Sequence, residues 1–130
     1  MRAIDSNVTV RLLALDDPSQ AEVARKVIDA GEIFIPITVV LECEWVLRRV
    51  YGFTRDRIAE GFRRIAGLPD VEVEEPIRLE RALAWLEMGM DFADALHLAK
   101  SDTCSEFVSF DLKLARLAKS VSPTPVVVPT

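Results

Sequence analysis

Several acidic residues of this sequence stand where their carboxylates could share one divalent cation. Asp5 and Asp111 each follow a short apolar segment. Glu42 interrupts an otherwise apolar stretch, and Asp91 and Asp94 are three residues apart, on one face of a predicted helix. Carboxylates held close together resist ionisation unless a cation compensates them. Oxygen ligands without cysteine or a second histidine favour Mg²⁺ or Mn²⁺, which can activate water and neutralise charge on a phosphoryl group.

Each acid also has a purely structural explanation. An aspartate after a strand commonly caps the next helix and stabilises it by about 1 kcal/mol. Taken singly, capping is the better explanation of Asp5 and Asp111, and for Asp91 a favourable interaction with the helix dipole is as good as a metal site. Glu42 and Asp94 lie among apolar residues, which favours a functional role. The only histidine, His97, is interpreted as structural or solvated.

The elements that would position these acids alternate between strand and helix patterns. Strands are predicted to end at Asp5 and to cover Glu32–Pro36, Val71–Val73, Glu106–Phe110 and Pro125–Val128. Helices are predicted over Asn7–Leu15, Ser19–Ala30, Thr38 (as the cap) to Gly52, Thr54 (as the cap) to about Ala66, Pro76–Gly89, Asp91–Lys100 and Asp111–Lys119. This order predicts an α/β fold with a parallel sheet and helices on both faces, whose strand ends can gather the acids at one edge.

Length and composition predict one intracellular domain. The 130 residues, half of them apolar, suffice for a single core, and we assign residues 1–130 to one domain. The apolar run Ile33–Leu41 is shorter than the roughly 20 residues that span a bilayer, and no signal peptide is evident at the start, so a cytoplasmic protein without a membrane partner is expected. Cys43 and Cys104 are expected to be reduced and largely buried.

The net charge of −5 does not decide whether the partner is a nucleic acid. Bound cations would reverse the local field of the acids, and a basic face can still form elsewhere. Arginines are concentrated in one part of the chain, at Arg48, Arg49, Arg55, Arg57, Arg63 and Arg64.

Four motifs, in this order, are similar to those of the PIN domain and, within it, of the VapC-type ribonuclease toxins. They are Ile4–Asn7, Thr38–Glu42, Asp91–Ala99 and Val108–Asp111. Each motif is short, but the ordered set covers nearly the whole chain. The chain departs from the usual pattern at Ser6, where the family generally has threonine.

The resemblance implies a three-layer sandwich around a mostly parallel sheet of four or five strands, and cleavage of RNA with Mg²⁺ or Mn²⁺. It implies that Asp5, Glu42, Asp94 and Asp111 are the ligand acids. Asp91 would be an accessory acid that holds metal through water, and Asn7 and Ser109 would orient a carboxylate or water. It also implies a cognate antitoxin and a homodimer as partners.

The helices Thr38–Tyr51 and Thr54–Ala66 are the predicted partner surface. Arg48, Arg49 and Arg55 could contact RNA or an acidic antitoxin segment. Nearby aromatic residues could anchor a partner, although core packing is the preferred interpretation of Trp45. The aromatic residues are Trp45, Tyr51, Phe53 and Phe62.

Two other functions remain open at this point. A phosphotransfer domain also places aspartates at strand ends around Mg²⁺. A phosphatase of that kind needs Asp-x-Asp after the first strand, but the second of these positions is Asn7. A response-regulator receiver needs a phosphoacceptor aspartate at the end of a central strand, and the strands that end at Pro36 and Val73 do not supply one. The other alternative is a non-catalytic interaction domain in which the acids only cap helices.

Overall fold

The chain alternates short strands with helices, as the sequence predicts. The computed structural model describes residues 1–14 and 17–130, so the predicted end of the first helix at Leu15 lies outside the described residues. The strands are β1 Arg2–Ala3, β2 Ile33–Ile35, β3 Val71–Val73, β4 Phe107–Val108 and β5 Val126–Val127. The helices are α1 Ser6–Ala14, α2 Pro18–Asp29, α3 Ile37–Arg49, α4 Arg55–Ala66, α5 Pro76–Glu87, α6 Phe92–Ala99 and α7 Leu112–Ala118. The predicted α/β class is confirmed.

The chain divides into two compact units, an N-terminal unit, Met1–Pro76, and a C-terminal unit, Ile77–Thr130. The N-terminal unit contains a parallel ladder in the order β1-β2-β3, and the C-terminal unit contains the parallel pair β4-β5. Every strand pair is parallel, as predicted. The strands form ladders of three and two, however, and not one ladder of four or five.

In the N-terminal unit, buried side chains of the middle strand and of two helices form the core. Ile33 and Ile35 alternate along β2 and are completely buried. Val40 and Leu47 lie on the buried face of α3, and Phe62 of α4 is 1% exposed. Burial of this kind stabilises a fold by about 1.5–3 kcal/mol for each large apolar side chain.

In the C-terminal unit, the predicted leucine stripe of α5 is buried. Leu79, Leu83 and Leu86 recur at helical spacing and are almost fully covered. Phe92 and Leu98 of α6 are also buried, and α7 packs against β5. Burial of these apolar side chains therefore holds the short helix α6 in place within its unit.

Side-chain caps fix the starts of two helices, of which only the cap at Thr54 was predicted. The Asp17 carboxylate accepts a hydrogen bond from the Gln20 amide at 3.1 Å, and the Thr54 hydroxyl accepts one from the Arg57 amide at 3.2 Å. Gly31, with φ +89°, follows α2 in the left-handed conformation that commonly ends a helix. Thr54 and Gly31 therefore mark the ends of their helices through local contacts.

Thr38 does not cap α3, contrary to the prediction. The helix begins one residue earlier, at Ile37, and its N-cap is Pro36, which has no side-chain acceptor. The Glu74 carboxylate, just after β3, accepts a hydrogen bond from the Ile37 amide at 2.8 Å instead. Since Glu74 is distant in sequence, no local pattern could have indicated this cap.

Three exposed side chains correct the sequence-based expectations. Trp45 is 53% exposed and Val50 is 66% exposed, although both were expected in the apolar stripe of α3. The buried face of this helix contains Val40, Cys43 and Leu47, and its helical periodicity leaves Trp45 outside. Cys104 is exposed, while Cys43 is buried, and both are free thiols.

Candidate metal centre

Asp5 lies at the carboxyl end of the three-stranded ladder and begins α1. Its Oδ1 atom accepts a hydrogen bond from the Val8 amide at 3.1 Å, and its backbone carbonyl accepts one from the Thr9 hydroxyl at 2.9 Å. The side chain of Asp5 is exposed. A cap uses one carboxylate oxygen, so capping and metal binding are compatible roles.

Glu42 is exposed on α3, immediately before a buried cysteine. Burial, and to a smaller extent the charges of Glu42 and Asp5, raise the pKa of the Cys43 thiol to about 12. Both carboxylates therefore lie within electrostatic reach of one buried atom. The N-terminal unit brings Asp5 and Glu42 into the same neighbourhood.

The C-terminal unit brings together the other three acids. The Asp91 carboxylate caps α6 through the Asp94 amide at 3.2 Å, and the Asp111 carboxylate caps α7 through the Leu114 amide at 3.0 Å. Burial raises the pKa of Asp94, the charges of Asp91 and Asp111 raise it further, and His97 lowers it. The carboxylates are thus close enough to disfavour ionisation of the one between them.

Two polar residues were predicted to orient a carboxylate or water. The Ser109 hydroxyl accepts a hydrogen bond from the backbone amide of Asp111 at 3.0 Å, so it holds the backbone of that acid. Asn7 is exposed in the first turn of α1, two residues after Asp5. Its predicted role stays a prediction.

The donor chemistry fits a hard divalent cation. The candidate ligands are carboxylates, and the thiol of Cys43 is protonated at neutral pH because its pKa is about 12. Among residues 1–14 and 17–130, no three His, Cys, Asp or Glu side chains are arranged to hold a metal ion. Electrostatic repulsion reaches farther than coordination, so the acids influence each other without forming a closed ligand set.

The sequence motifs and the family comparison point to the same protein family. The family model of the PIN domain matches residues 3–120, which include all five acids. The chain belongs to the PIN domain family. No curated protein and no solved structure matches the chain. The receiver and phosphatase alternatives are not retained, because the matched family extends over both units.

PIN domains are generally metal-dependent nucleases, typically with Mg²⁺, which implies a nucleic acid substrate. In this PIN domain, Asp5 and Glu42 belong to the N-terminal unit, and Asp91, Asp94 and Asp111 belong to the C-terminal unit. That all of them converge on one pocket stays a prediction. In the part of the chain that the structure describes, no helix is both long and apolar enough to cross a membrane.

Arg48, a predicted contact residue of the PIN domain, has a structural partner. The Nε atom of Arg48 lies 2.9 Å from a carboxylate oxygen of Glu44, which is 2% exposed. A buried carboxylate needs such a partner, so Arg48 serves the fold of α3. Sequence analysis missed Glu44, although an acid at helical spacing from an arginine was a usable signal.

An open cleft of about 560 Å³ lies in the N-terminal unit of the PIN domain. Apolar side chains from α1, α2 and α4 line it, together with three arginines. One of these, Arg57, has its guanidinium 3.6 Å from the ring centre of Phe53. The arginines are Arg25, Arg57 and Arg64, and the acids Asp29 and Glu60 also line the cleft, with Glu60 paired to Arg64 at 2.9 Å.

Proposed function

We propose that this PIN domain is a Mg²⁺- or Mn²⁺-dependent endoribonuclease and the VapC-type toxin of a toxin–antitoxin pair. The observation that supports this most directly is the raised pKa of Asp94, caused by burial and by the charges of Asp91 and Asp111, in a chain whose family members are generally metal-dependent nucleases. A divalent cation relieves such repulsion, and helix caps alone do not require three acids to approach each other. The protein is expected to act in the cytoplasm, where its substrate is.

In this proposal, Asp5, Glu42, Asp94 and Asp111 would hold the ion, and Asp91 would hold it through water. When bound, the ion would supply a Lewis acid that activates water and stabilises charge on the phosphodiester. The capping bonds to Asp5, Asp91 and Asp111 restrain these carboxylates, because each has one oxygen held by a backbone amide. Restrained ligands lose less conformational freedom when the cation binds.

The test of the enzyme proposal is metal-dependent cleavage of RNA by the purified chain. Cleavage is expected with Mg²⁺ or Mn²⁺ and should stop when a chelator is added. Asp94→Asn should abolish it, whereas Asp56→Asn should not, because Asp56 also lies in the first turn of its helix but is not one of the five acids. RNA that stays intact under all these conditions would support the non-catalytic interaction domain instead.

The proposed partners are RNA, a cognate antitoxin and a second copy of the chain. We assign the antitoxin to the cleft of the N-terminal unit, because its lining is mainly apolar and has three arginines against the two acids Asp29 and Glu60, which suits an amphipathic, acidic segment. Of the predicted contact residues, Arg49 and Arg55 remain candidates. Arg48 is a poor choice for a charge reversal, since its loss would leave Glu44 buried and unpaired.

The antitoxin assignment can be tested with the product of a small gene immediately upstream, if that gene encodes a DNA-binding protein. Co-purification with the wild-type chain is expected. Arg57→Glu in the cleft should weaken it, and Arg116→Glu on the exposed part of α7 should not. Equal retention of the partner by both variants would exclude the cleft.

A further inference from the structure

Three large apolar side chains next to Asp111 are exposed to solvent, and we call them the Phe110 patch. They are Val108 at the end of β4, Phe110, and Leu112 at the start of α7, which are 58%, 81% and 71% exposed. Within residues 1–14 and 17–130, no other large apolar side chain is as exposed as Phe110. Apolar residues that are exposed as a group, and not scattered singly, commonly mark a binding surface.

The backbone on both sides of Phe110 is held by hydrogen bonds. The Ser109 amide donates to the Val127 carbonyl of β5 at 3.0 Å, and the Ser109 hydroxyl accepts from the Asp111 amide at 3.0 Å. The Asp111 carboxylate in turn caps α7 through the Leu114 amide. Phe110 therefore lies between two anchored residues, and little backbone freedom is lost when a ligand binds its ring.

The residues that follow Asp111 supply positive charge beside the patch. Residues 112–130 contain Lys113, Arg116 and Lys119 but no aspartate or glutamate, in a chain whose net charge is −5. Lys113 and Arg116 are exposed and three residues apart on α7, so they are neighbours on the helix surface. An exposed ring beside two cations suits a ligand that has both flat apolar faces and negative charges.

We propose that a base of single-stranded RNA stacks on Phe110, while Lys113 and Arg116 hold the adjoining phosphates. This inference rests on the proposed nuclease function and identifies the form of RNA that its site accepts. Unpaired bases stack readily on aromatic rings, whereas the bases of a duplex are already stacked on each other. Because Phe110 directly precedes Asp111, the ring positions the strand beside a proposed ligand acid.

The position of the patch favours an RNA strand over a protein partner. A substrate of the proposed nuclease has to reach Asp111, so its strand passes the residues adjacent to that acid. The antitoxin is assigned to the cleft of the N-terminal unit, whose lining residues lie between Leu12 and Leu68. The patch and the cleft share no residue, so the two assignments can be tested separately.

Fluorescence anisotropy with a labelled, unstructured single-stranded RNA of mixed sequence tests the stacking. Low salt favours binding, and a chelator keeps the RNA intact and leaves the repulsion by the acids the same in every variant. Phe110→Ala should weaken binding by about fivefold to 150-fold, the usual effect of losing one stacked base. Phe110→Trp should retain the affinity. Ile77→Ala is the matched control, because Ile77 of α5 is 78% exposed and lies outside the patch.

Two comparisons separate stacking from attraction by charge. Duplex RNA of the same sequence should bind the wild-type chain and Phe110→Ala equally, since its bases are not available to the ring. The logarithm of the affinity falls linearly with the logarithm of the salt concentration, and Phe110→Ala should leave that slope unchanged. Lys113→Gln and Arg116→Gln should each reduce the slope by about 0.7, the value for one phosphate contact with a single strand. Circular dichroism establishes that each variant is folded.

The outcomes separate this inference from the nuclease proposal. A wild-type chain that binds no single-stranded RNA, or a Phe110→Ala variant that binds it as tightly as the wild type, would overturn the inference. An equal loss of duplex binding would overturn it too. Phe110→Ala that keeps its affinity for RNA but no longer retains the antitoxin would identify the patch as a protein contact instead. Metal-dependent cleavage is measured independently, and its absence beside intact stacking would contradict the nuclease proposal alone.

Discussion

Asp94 is the acid of the C-terminal unit whose ionisation is disfavoured by its surroundings. Its ionisation should therefore lower the free energy of unfolding of the metal-free protein. Burial and the charges of Asp91 and Asp111 raise its pKa above the ordinary 3.8. Below that ordinary value the residue is protonated in both the folded and the unfolded chain. As pH rises through the folded-state pKa, the unfolded chain releases the proton more readily, and stability falls.

We therefore expect Asp94→Asn to raise the melting temperature of the metal-free protein at pH 7, with a smaller gain near pH 3. Thermal unfolding followed by circular dichroism in the presence of chelator measures both values. Asp56→Asn is the control and should not stabilise, because it only removes a favourable acid from the first turn of α4. A gain for Asp94→Asn that is as large at pH 3 as at pH 7 would contradict the electrostatic explanation.

Asp5→Asn should abolish RNA cleavage without unfolding the protein. Asparagine caps helices as well as aspartate does, so the bond to the Val8 amide can persist, but the negative charge needed for a cation is lost. We expect activity to fall by more than about 100-fold, beyond the usual effect of losing a residue that only orients a ligand. Asp17→Asn changes an equivalent cap on α2 and should keep full activity. Comparable losses in the two variants would show that capping, not metal binding, is responsible.

The two cysteines should differ greatly in reactivity. Because burial raises the pKa of Cys43 to about 12, only about one thiol in ten thousand is ionised at pH 8. Cys104 is exposed. A colorimetric disulfide reagent should therefore modify one thiol quickly, and Cys104→Ser should remove that fast reaction. Rapid modification of both thiols in the folded protein would show that the contact between α1 and α3 opens readily.

At the scale of the elements, the start of α3 depends on a strand that is distant in sequence. Glu74→Ala should destabilise the protein by about 1 kcal/mol, the usual effect of losing a helix cap, and Glu74→Gln should cost less because an acceptor remains. Urea denaturation measures the free energy of unfolding. Glu72→Ala, at an exposed position of β3, should have little effect. Equal losses at Glu72 and Glu74 would indicate a general effect on the strand.

The elements that could be predicted are those specified by their own residues. Thr54 and Gly31 mark helix ends through contacts within a few residues. The helical spacing of the leucines of α5 indicates which face of that helix is buried. The start of α3 and the exposure of Trp45 depend on which other segments pack nearby. Such information is not contained in the local pattern, so Thr38 and Trp45 were misassigned.

At the scale of the whole molecule, the assignment of residues 1–130 to one domain predicts that the chain unfolds in a single transition. The chain has two tryptophans, and they report on different units, since Trp45 belongs to the N-terminal unit and Trp85 is buried in the C-terminal unit. Trp45→Phe and Trp85→Phe should each show a fluorescence transition that coincides with circular dichroism in urea. Transitions with clearly different midpoints would show that the units unfold independently.

The candidate site could be predicted only in part, because contacts between residues distant in sequence are not contained in a local pattern. Each acid stands out through its neighbours, as Glu42 does within an apolar stretch and Asp111 does after a strand. Distances between acids depend on packing, and the structure brings Asp5 near Glu42, and Asp91 and Asp111 near Asp94. No local pattern indicates that the Ser109 hydroxyl accepts a hydrogen bond from the Asp111 amide, and its predicted role beside a carboxylate or water stays a prediction.

Because the two units follow one another along the chain, the ribosome synthesises Asp5 and Glu42 before the acids of the C-terminal unit. All three strands of the β1-β2-β3 ladder lie within the first 73 residues, so a nascent chain contains the whole ladder before Asp94 is translated. The acids of the C-terminal unit then leave the ribosome last. A product truncated before Asp91 therefore contains Asp5 and Glu42 but lacks Asp91, Asp94 and Asp111, so the proposed nuclease activity is not expected from it.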